Sequence, residues 1–462
     1  MMRHKTPFLL LTSALALSAC TMTPKYVRPE LPVAQQWPQA VQSATGGSDA
    51  QPAGDLPWKQ VFLDARLQRV IDTALTNNRD LRVAILNIEK ARATYVMTRS
   101  SLLPSVSGSV SETRSHEAGA DSDVYSATAS VSAWELDLFG KIRSESKAAQ
   151  ESFLATAETR RATQISLISE TASAWFTLAS DQDLLRLARE TLQTRESDYT
   201  LSKRKFDLGV AAETDLRSLE VETEQARADV AQYEAQVQQD KDALILLTGQ
   251  AIADADLPDA MPDDSAILAN LPAGLPSEVL TRRPDVLSAE HDLKSANGDV
   301  GAARAAFFPT ISLTGSTGSS SDELSGLFKS GTGTWSFAPS ISIPIFSGGY
   351  NVANLKSAKA ARDVAVATYE KTVQTAFKEV ADALATRATI DRRLDALNKA
   401  STAADASLTL VQARYDHGID SALDLTTAQR TAYSAQQSLI SIRLSRATNL
   451  ATLYAALGGG VN

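Results

Sequence analysis

The sequence is poor in reactive side chains. Its 462 residues include one cysteine, four histidines and five methionines. One thiol excludes an internal disulfide. His4, His116, His291 and His417 stand far apart in the chain, which leaves little for metal or acid–base chemistry. After the N-terminus no run of 18 consecutive apolar residues occurs, which excludes a mature helical membrane span. Basic charge is in deficit: 45 Lys and Arg face 54 Asp and Glu, a formal charge of −9, which argues against a nucleic-acid binder. With 44% hydrophobic and 21% charged residues, the composition is globular, neither disordered nor collagen-like. The length allows two to four ordinary domains. Glycine and proline are missing from two long intervals, Gly140 to Gly209 and Gly349 to Gly418.

The first twenty residues carry an address. Arg3, His4 and Lys5 precede a short apolar core, Phe8 to Ala19, too short to remain as a span. The core ends in Leu17-Ser18-Ala19-Cys20, and Cys20 is the sole cysteine. The pattern resembles the lipobox of bacterial lipoproteins, whose cysteine becomes an acylated N-terminus. The other reading is an ordinary signal with a cysteine near its cleavage site. The resemblance implies S-diacylglycerol and N-palmitoyl groups on Cys20, more than the two signals that stable anchoring requires. Thr21, where an aspartate would favour inner-membrane retention, implies sorting to the outer membrane. Cleavage removes Arg3 and Lys5 and takes the formal charge from −9 to −11. The residues from Pro24 to about Trp58 are proline-rich and read as an extended arm lying on the body.

The remainder is one unit used twice. Leu103-Pro104 recurs as Phe308-Pro309, Phe206-Asp207-Leu208-Gly209 as Tyr415-Asp416-His417-Gly418, and Leu247-Thr248-Gly249 as Ala456-Leu457-Gly458, at offsets of 205 to 209. The chain therefore divides into a signal peptide (1–19), a lipidated arm (20–64), a first repeat (65–249), a linker (250–284), a second repeat (285–458) and a tail (459–462). Each repeat reads as helix, strand, strand, very long helix, turn, helix. An unbroken helix over either glycine-free interval would reach ~100 Å, far beyond the usual 11–12 residues, and needs partners along its length. Heptads supply them: Leu178, Leu185, Leu192, Tyr199 and Phe206 on one long helix, and Leu394, Leu397, Ser401, Ala404, Leu408, Val411 and Tyr415 on its duplicate. The returning helices carry Leu216, Leu219, Ala226, Val230, Tyr233, Val237, Leu244 and Leu247, and Leu425, Ala428, Ala435, Leu439, Ile442, Leu453 and Ala456. A period of 3.5 predicts left-handed coiled-coil packing.

Four segments alternate as strands: 105–111, 125–133 (with Val131 and Ala133 on one face), 310–314, and a run setting Phe337, Ile341, Ile343 and Ile345 against Ser336, Ser340, Ser342 and Pro344. One face is apolar and the other Ser and Thr, the pattern of a membrane barrel with a wet lumen; a soluble sandwich is the competing reading. Segments 115–123 and 319–333 read as polar outer loops, and Trp134 and Trp335 as interfacial aromatics. A spanning sheet has to close, because an open edge leaves backbone groups unpaired in lipid. Four strands do not close, so spanning requires oligomers, and three chains give twelve strands.

These residues resemble the outer-membrane factors of the TolC-like type, in the lipoprotein branch paired with resistance-nodulation-division (RND) pumps. The resemblance covers essentially the whole mature chain. It rests on the lipobox at Cys20, on Tyr26, Pro29 and Trp37, on Trp58 with Phe62-Leu63-Asp64, on Asn77-Asn78-Arg79-Asp80-Leu81 and its duplicate Arg282-Arg283-Pro284-Asp285-Val286, on Trp134-Glu135-Leu136-Asp137-Leu138-Phe139-Gly140, on Ile343-Pro344-Ile345-Phe346, and on the tip Arg414-Tyr415-Asp416-His417-Gly418. It implies a mixed α and β membrane protein, mainly α: a homotrimer with a 12-stranded β-barrel, four strands per chain, in the outer membrane of a Gram-negative cell, joined to a periplasmic α-helical barrel. Its partners would be a periplasmic adaptor, an inner-membrane RND pump and outer-membrane lipid, with no nucleic acid, no cofactor, no metal and no catalysis. The function implied is a passive exit duct for drugs or other small molecules, gated at the helical tips.

At those tips Gly209 and Gly418 mark the reversals and, by resemblance, the adaptor contacts. Asp215 and Asp424 lie six residues after each glycine. They serve either the helix dipole or a ring of three carboxylates narrowing the pore. The family's acid nine residues after the second glycine is replaced by Thr427. Arg414 and Tyr415 either hold the pore shut or pack ordinarily. Lys203, Arg204 and Lys205 form a solvated face or an adaptor contact. The competing functions are a non-conducting coiled-coil lipoprotein that tethers envelope layers, the adaptor itself, and a lipoprotein enzyme, for which no nucleophile–base pair is apparent. The three methionines left after cleavage weakly disfavour a dedicated copper or silver route.

Overall fold

The computed structural model describes residues 21–34, 36–37, 56–262 and 280–460. Cys20 and the signal lie outside them. Helices α1 (Ala65–Asn77) and α2 (Arg79–Ser100) lead to strands β1 (Val106–Glu117) and β2 (Ala120–Glu135). Then come α3 (Lys141–Asp207) and α4 (Glu213–Thr248). The second half repeats the order from α2 onward as α5 (Pro284–Ala305), β3 (Thr310–Ser321), β4 (Gly333–Ser342), α6 (Tyr350–Asp416) and α7 (Ala422–Ala456). The chain forms two compact units: residues 1–30, 86–158 and 287–371, and residues 31–85, 159–286 and 372–462. Among the described residues no helix is long and apolar enough to cross a membrane.

Both glycine-free intervals are single helices of 67 residues. In the second unit each turns back at a left-handed glycine, Gly209 at φ 74° and Gly418 at φ 73°. The two turns carry the same hydrogen bonds. Val210 N–H donates to Lys205 O and Ile419 N–H to Arg414 O, both at 2.9 Å, and each glycine N–H donates to the carbonyl three residues back. This is the Schellman closure of a helix C-terminus. The far ends of the returning helices match as well. Asn78 Nδ2 donates to Leu247 O and Arg283 Nη1 to Ala456 O, the same link from each repeat.

The heptads pack in the expected register. From Leu394 to Tyr415 all seven predicted positions are buried or half-buried. The first long helix differs. Phe206 is exposed, while the offset heptad Asp181, Ala188, Arg195 and Ser202 is buried. Polar layers line this seam, and an apolar count overlooks them. The main core of this unit gathers Phe62, Leu67, Ile71, Ile168, Trp175, Phe176, Leu178, Leu244 and Tyr454. The described part of the linker, including Ile252, Leu257 and Met261, packs on it.

The first unit holds one antiparallel sheet in the order β1-β2-β3-β4. The predicted loop 115–123 is strand almost throughout. β1 and β2 meet at a two-residue turn, Ala118 (φ 50°) and Gly119 (φ 84°), a type I′ geometry matched to strand twist. The Arg114–Asp123 and His116–Asp121 pairs extend the ladder, so His116 is a strand residue. β3 likewise runs to Ser321, and the connecting loop is 322–332. A bulge between Val131 and Trp134 overturns the pairing of Val131 with Ala133 on one face: Ala133 takes φ 47°, and Trp134 joins the Val131 face opposite Leu313. Ile343 and Ile345 lie beyond β4.

The start of the arm, residues 21–30, lies on the first unit, and its later described residues, Trp37 and Trp58 among them, join the core of the second. Asn297 Nδ2 donates to Pro24 O at 2.7 Å, and Arg304 Nη1 reaches Met22 O. A side-chain carbon at Gly301 would collide with Thr23, so glycine there permits the close approach. Glu290, 3% exposed, accepts from Tyr26 Oη, Arg28 and Lys294. Burial alone would raise its carboxyl, but the Arg28 and Lys294 bonds outweigh burial and hold it below the usual range.

Candidate functional site

The sheet has two chemically distinct faces. Cross-strand partners on one face are Val106 with Val131, Val110 with Ala127, Gly315 with Phe337, and Ile311 with Ile341. The other face is built of hydroxyls bonded across strands: Ser107 to Ser130 at 3.3 Å, Ser109 to Thr128 at 3.0 Å, Ser111 to Ser126 at 2.8 Å and Ser316 to Ser336 at 2.7 Å. Tyr125 and Trp134 flank the apolar face of β2. Nine residues separate them, about 30 Å along a strand. A tilt of about 40° reduces this to about 23 Å, close to the ~25 Å apolar band of an outer-membrane barrel. Trp335, near the start of β4, adds an exposed aromatic to the same face. The sheet does not close on itself, since β1 and β4 are each paired on one side only.

The tip lies in the second unit. Asp424 forms a capping box with Ser421: Ser421 N–H and Oγ both donate to Asp424 Oδ2, and Asp424 N–H donates to Ser421 Oγ. Those Ser421 bonds hold its carboxyl below the ordinary value. Asp215 sits in the first turn of α4, beside Glu213. Arg414 is not a bare cation; its guanidinium grips Asp420 through Nε at 2.9 Å and Nη2 at 2.8 Å. Asp420 is the partner that the sequence reading missed. Tyr415 is 7% exposed and packs with Leu408, Val411, Ala422 and Leu425. Burial first, then Asp198 and Asp215, raise its phenol above the ordinary value. Lys205 Nζ lies 4.8 Å from the Tyr415 ring centre and ties the first hairpin to the second.

Behind the tip the two hairpins share a polar seam. Gln429 Nε2 donates to the buried Asp198 at 2.6 Å, Tyr433 Oη to Asp229 at 3.1 Å and Gln437 Nε2 to Tyr233 Oη at 3.0 Å. Arg195, 3% exposed, pairs with Glu222 at 3.1 Å and faces the Tyr433 ring. These residues occupy heptad layers as polar members, the signal that would have located them in the sequence. Of the histidines, His291 pairs with Glu151 and His417 bonds Ala413 O. Among the described residues no group of three or more His, Cys, Asp or Glu could hold a metal ion.

Known proteins agree with this architecture. The family model of the outer membrane efflux protein matches residues 70–250 and 275–459, one stretch per repeat. The probable efflux pump outer membrane protein TtgC of Pseudomonas putida is 46% identical over 461 residues, covering 98% of this chain and 95% of that one. The outer membrane protein OprJ of Pseudomonas aeruginosa is 41% identical, covering 97% and 94%. The open state of the Neisseria gonorrhoeae MtrE outer membrane channel superposes with a TM-score of 0.88 at 43% identity, covering 96% of this chain and 99% of that one. The long paired helices, the four-stranded sheet with one lipid-compatible face and the doubled family match lead to one assignment: this chain belongs to the outer membrane efflux protein family.

Proposed function

We propose that three copies of this chain form a passive exit duct of a tripartite efflux system. Their sheets would close a twelve-stranded barrel across the outer membrane, and their hairpins would be gated at the tips by an adaptor and an RND pump. The observation that carries the reading is the four-stranded sheet with an aromatic-flanked apolar face, a hydroxyl face and two unpaired edges. Such edges are tolerated in lipid only when copies pair them. The arm supports a lipid anchor: Met22 lies against Arg304, at the end of α5 and shortly before β3 begins. A lipid on Cys20 would then enter the leaflet beside the rim of the sheet.

The gate reading rests on Arg414, Tyr415 and the carboxylates at Asp215 and Asp424, with Gly209 and Gly418 at the adaptor-facing reversals. Arg414 fixed to Asp420 braces the second tip, and Tyr415 under Lys205 ties that tip to the first; an adaptor that displaces those contacts would part them. The energy comes from the pump, so the duct needs no chemistry of its own. Planar-bilayer recording tests this. The wild-type protein should give small stepwise currents, and Arg414→Ala/Tyr415→Ala should raise the conductance several-fold. Silent bilayers with both proteins would refute a duct.

A further inference from the structure

We infer that Glu117 sets the charge preference of the duct's outer mouth, above a strand-walled passage that carries no fixed charge. The inference rests on the barrel reading above and adds a specificity determinant to it.

The register places Glu117 at the last pair of β1 and β2, opposite Ala120, on the hydroxyl face. On that face every paired position between Glu117 and the other end of the sheet is Ser or Thr, except Val124, Gly318 and Ala338. The next charge is Glu135, opposite Ser312, and Lys141 stands 3.5 Å from its carboxylate. The other paired charges near the hairpin lie on the opposite face, where three carboxylates, Glu112, Asp121 and Asp123, surround Arg114 and His116. Arg114 takes Asp123 through two bonds, with Glu112 3.9 Å away, and His116 takes Asp121. Glu117 therefore has no cation beside it on its own face among the described residues. Four pairs of these hydroxyls bond across the strands, and as uncharged groups the hydroxyls offer passing cargo a polar wall without an electrostatic trap. On the hydroxyl face a cation leaving the strands meets one paired carboxylate per copy, and an anion is repelled by it; Asp322, Glu323 and Lys329 lie apart from this face register, in the β3–β4 loop at the same end of the sheet.

Distance sets the reach of this effect. Ser115 lies about 7 Å from Glu117 along the strand, within one Debye length of about 8 Å at physiological salt. Ser109, opposite Thr128, lies about 27 Å away, beyond three Debye lengths. The field of Glu117 is therefore felt at Ser115 and absent at Thr128.

The test uses single cysteines in the full-length protein in the outer membrane of intact cells, because the natural Cys20 is spent on lipid in the proposed mature form. Ser115→Cys, Thr128→Cys and Ala129→Cys are each treated from outside with a cationic (trimethylammonium) and an anionic (sulfonate) methanethiosulfonate. The cationic-to-anionic rate ratio is divided by that of free cysteine. The expected ratio is about three at Ser115→Cys from a carboxylate about 7 Å away, falling towards one when Glu117→Gln is added, and near one at Thr128→Cys. A ratio at Ser115→Cys that Glu117→Gln leaves unchanged overturns the assignment of Glu117. A strong bias at Thr128→Cys overturns the charge-free passage. Reaction at Ala129→Cys with none at Thr128→Cys means that the hydroxyl face is not the lumen, and overturns the barrel reading on which the inference stands.

Discussion

Glu290 shows how much of this protein is decided by single buried polar groups. Its carboxylate gathers Tyr26 and Arg28 from the arm and Lys294 from its own helix. Because its folded pKa is depressed, the stability it adds is complete above the unfolded value and is lost as pH falls through the folded one. Acidification below about pH 4 should therefore release the arm, seen as faster hydrogen exchange over residues 22–30, and Glu290→Gln should release it at neutral pH. Gly301→Val should do the same by steric exclusion of Thr23. None of these partners was legible in the sequence, because Glu290 looks like any helix-surface acid until the arm is laid over it. The same holds for Asp420, whose pairing with Arg414 depends on the turn between them.

At the scale of the element, the hairpins were legible and their interiors were not. The glycine-free intervals gave both long helices to within a residue, and Gly209 and Gly418 gave both turns. A Cβ at either glycine meets nothing within 4 Å, so Gly209→Ala and Gly418→Ala should each cost only the left-handed conformation, about 1–2 kcal/mol. The two losses should be similar, read as raised amide exchange around each tip. The strand ends were misread because polar residues continue the ladder through paired charges, Arg114 with Asp123, and because the turn uses Ala118 where Asn is the familiar signal. Ala118→Gly should relieve strain there and stabilise the hairpin by about 1 kcal/mol. Inside the first hairpin, Asp181 (8% exposed) and Asp240 face each other in polar heptad layers. Burial, reinforced by Asp181, pushes the Asp240 carboxyl up to about 7. A raised carboxyl adds stability at low pH that is lost as pH rises through the folded value. Thermal stability of the hairpin should therefore decline between about pH 4 and pH 7, and Asp240→Asn should flatten that decline in melts followed by circular dichroism.

For the whole molecule, the decisive fact is that one chain brings a sheet with two open edges. The sequence already implied this from four alternating segments, and the register shows why the count matters: the apolar and hydroxyl faces are both complete, while the ladder is not. The duplication explains the economy of the design. One supersecondary unit supplies two strands and one hairpin, and its second copy supplies the equivalents, down to matching Schellman turns and matching links from Asn78 and Arg283. Native mass spectrometry of the mature protein, released from detergent micelles, tests the account most directly. Three chains per particle, lost only together with the membrane-embedded strands, is the predicted result. A stable single chain in buffer without detergent would contradict it.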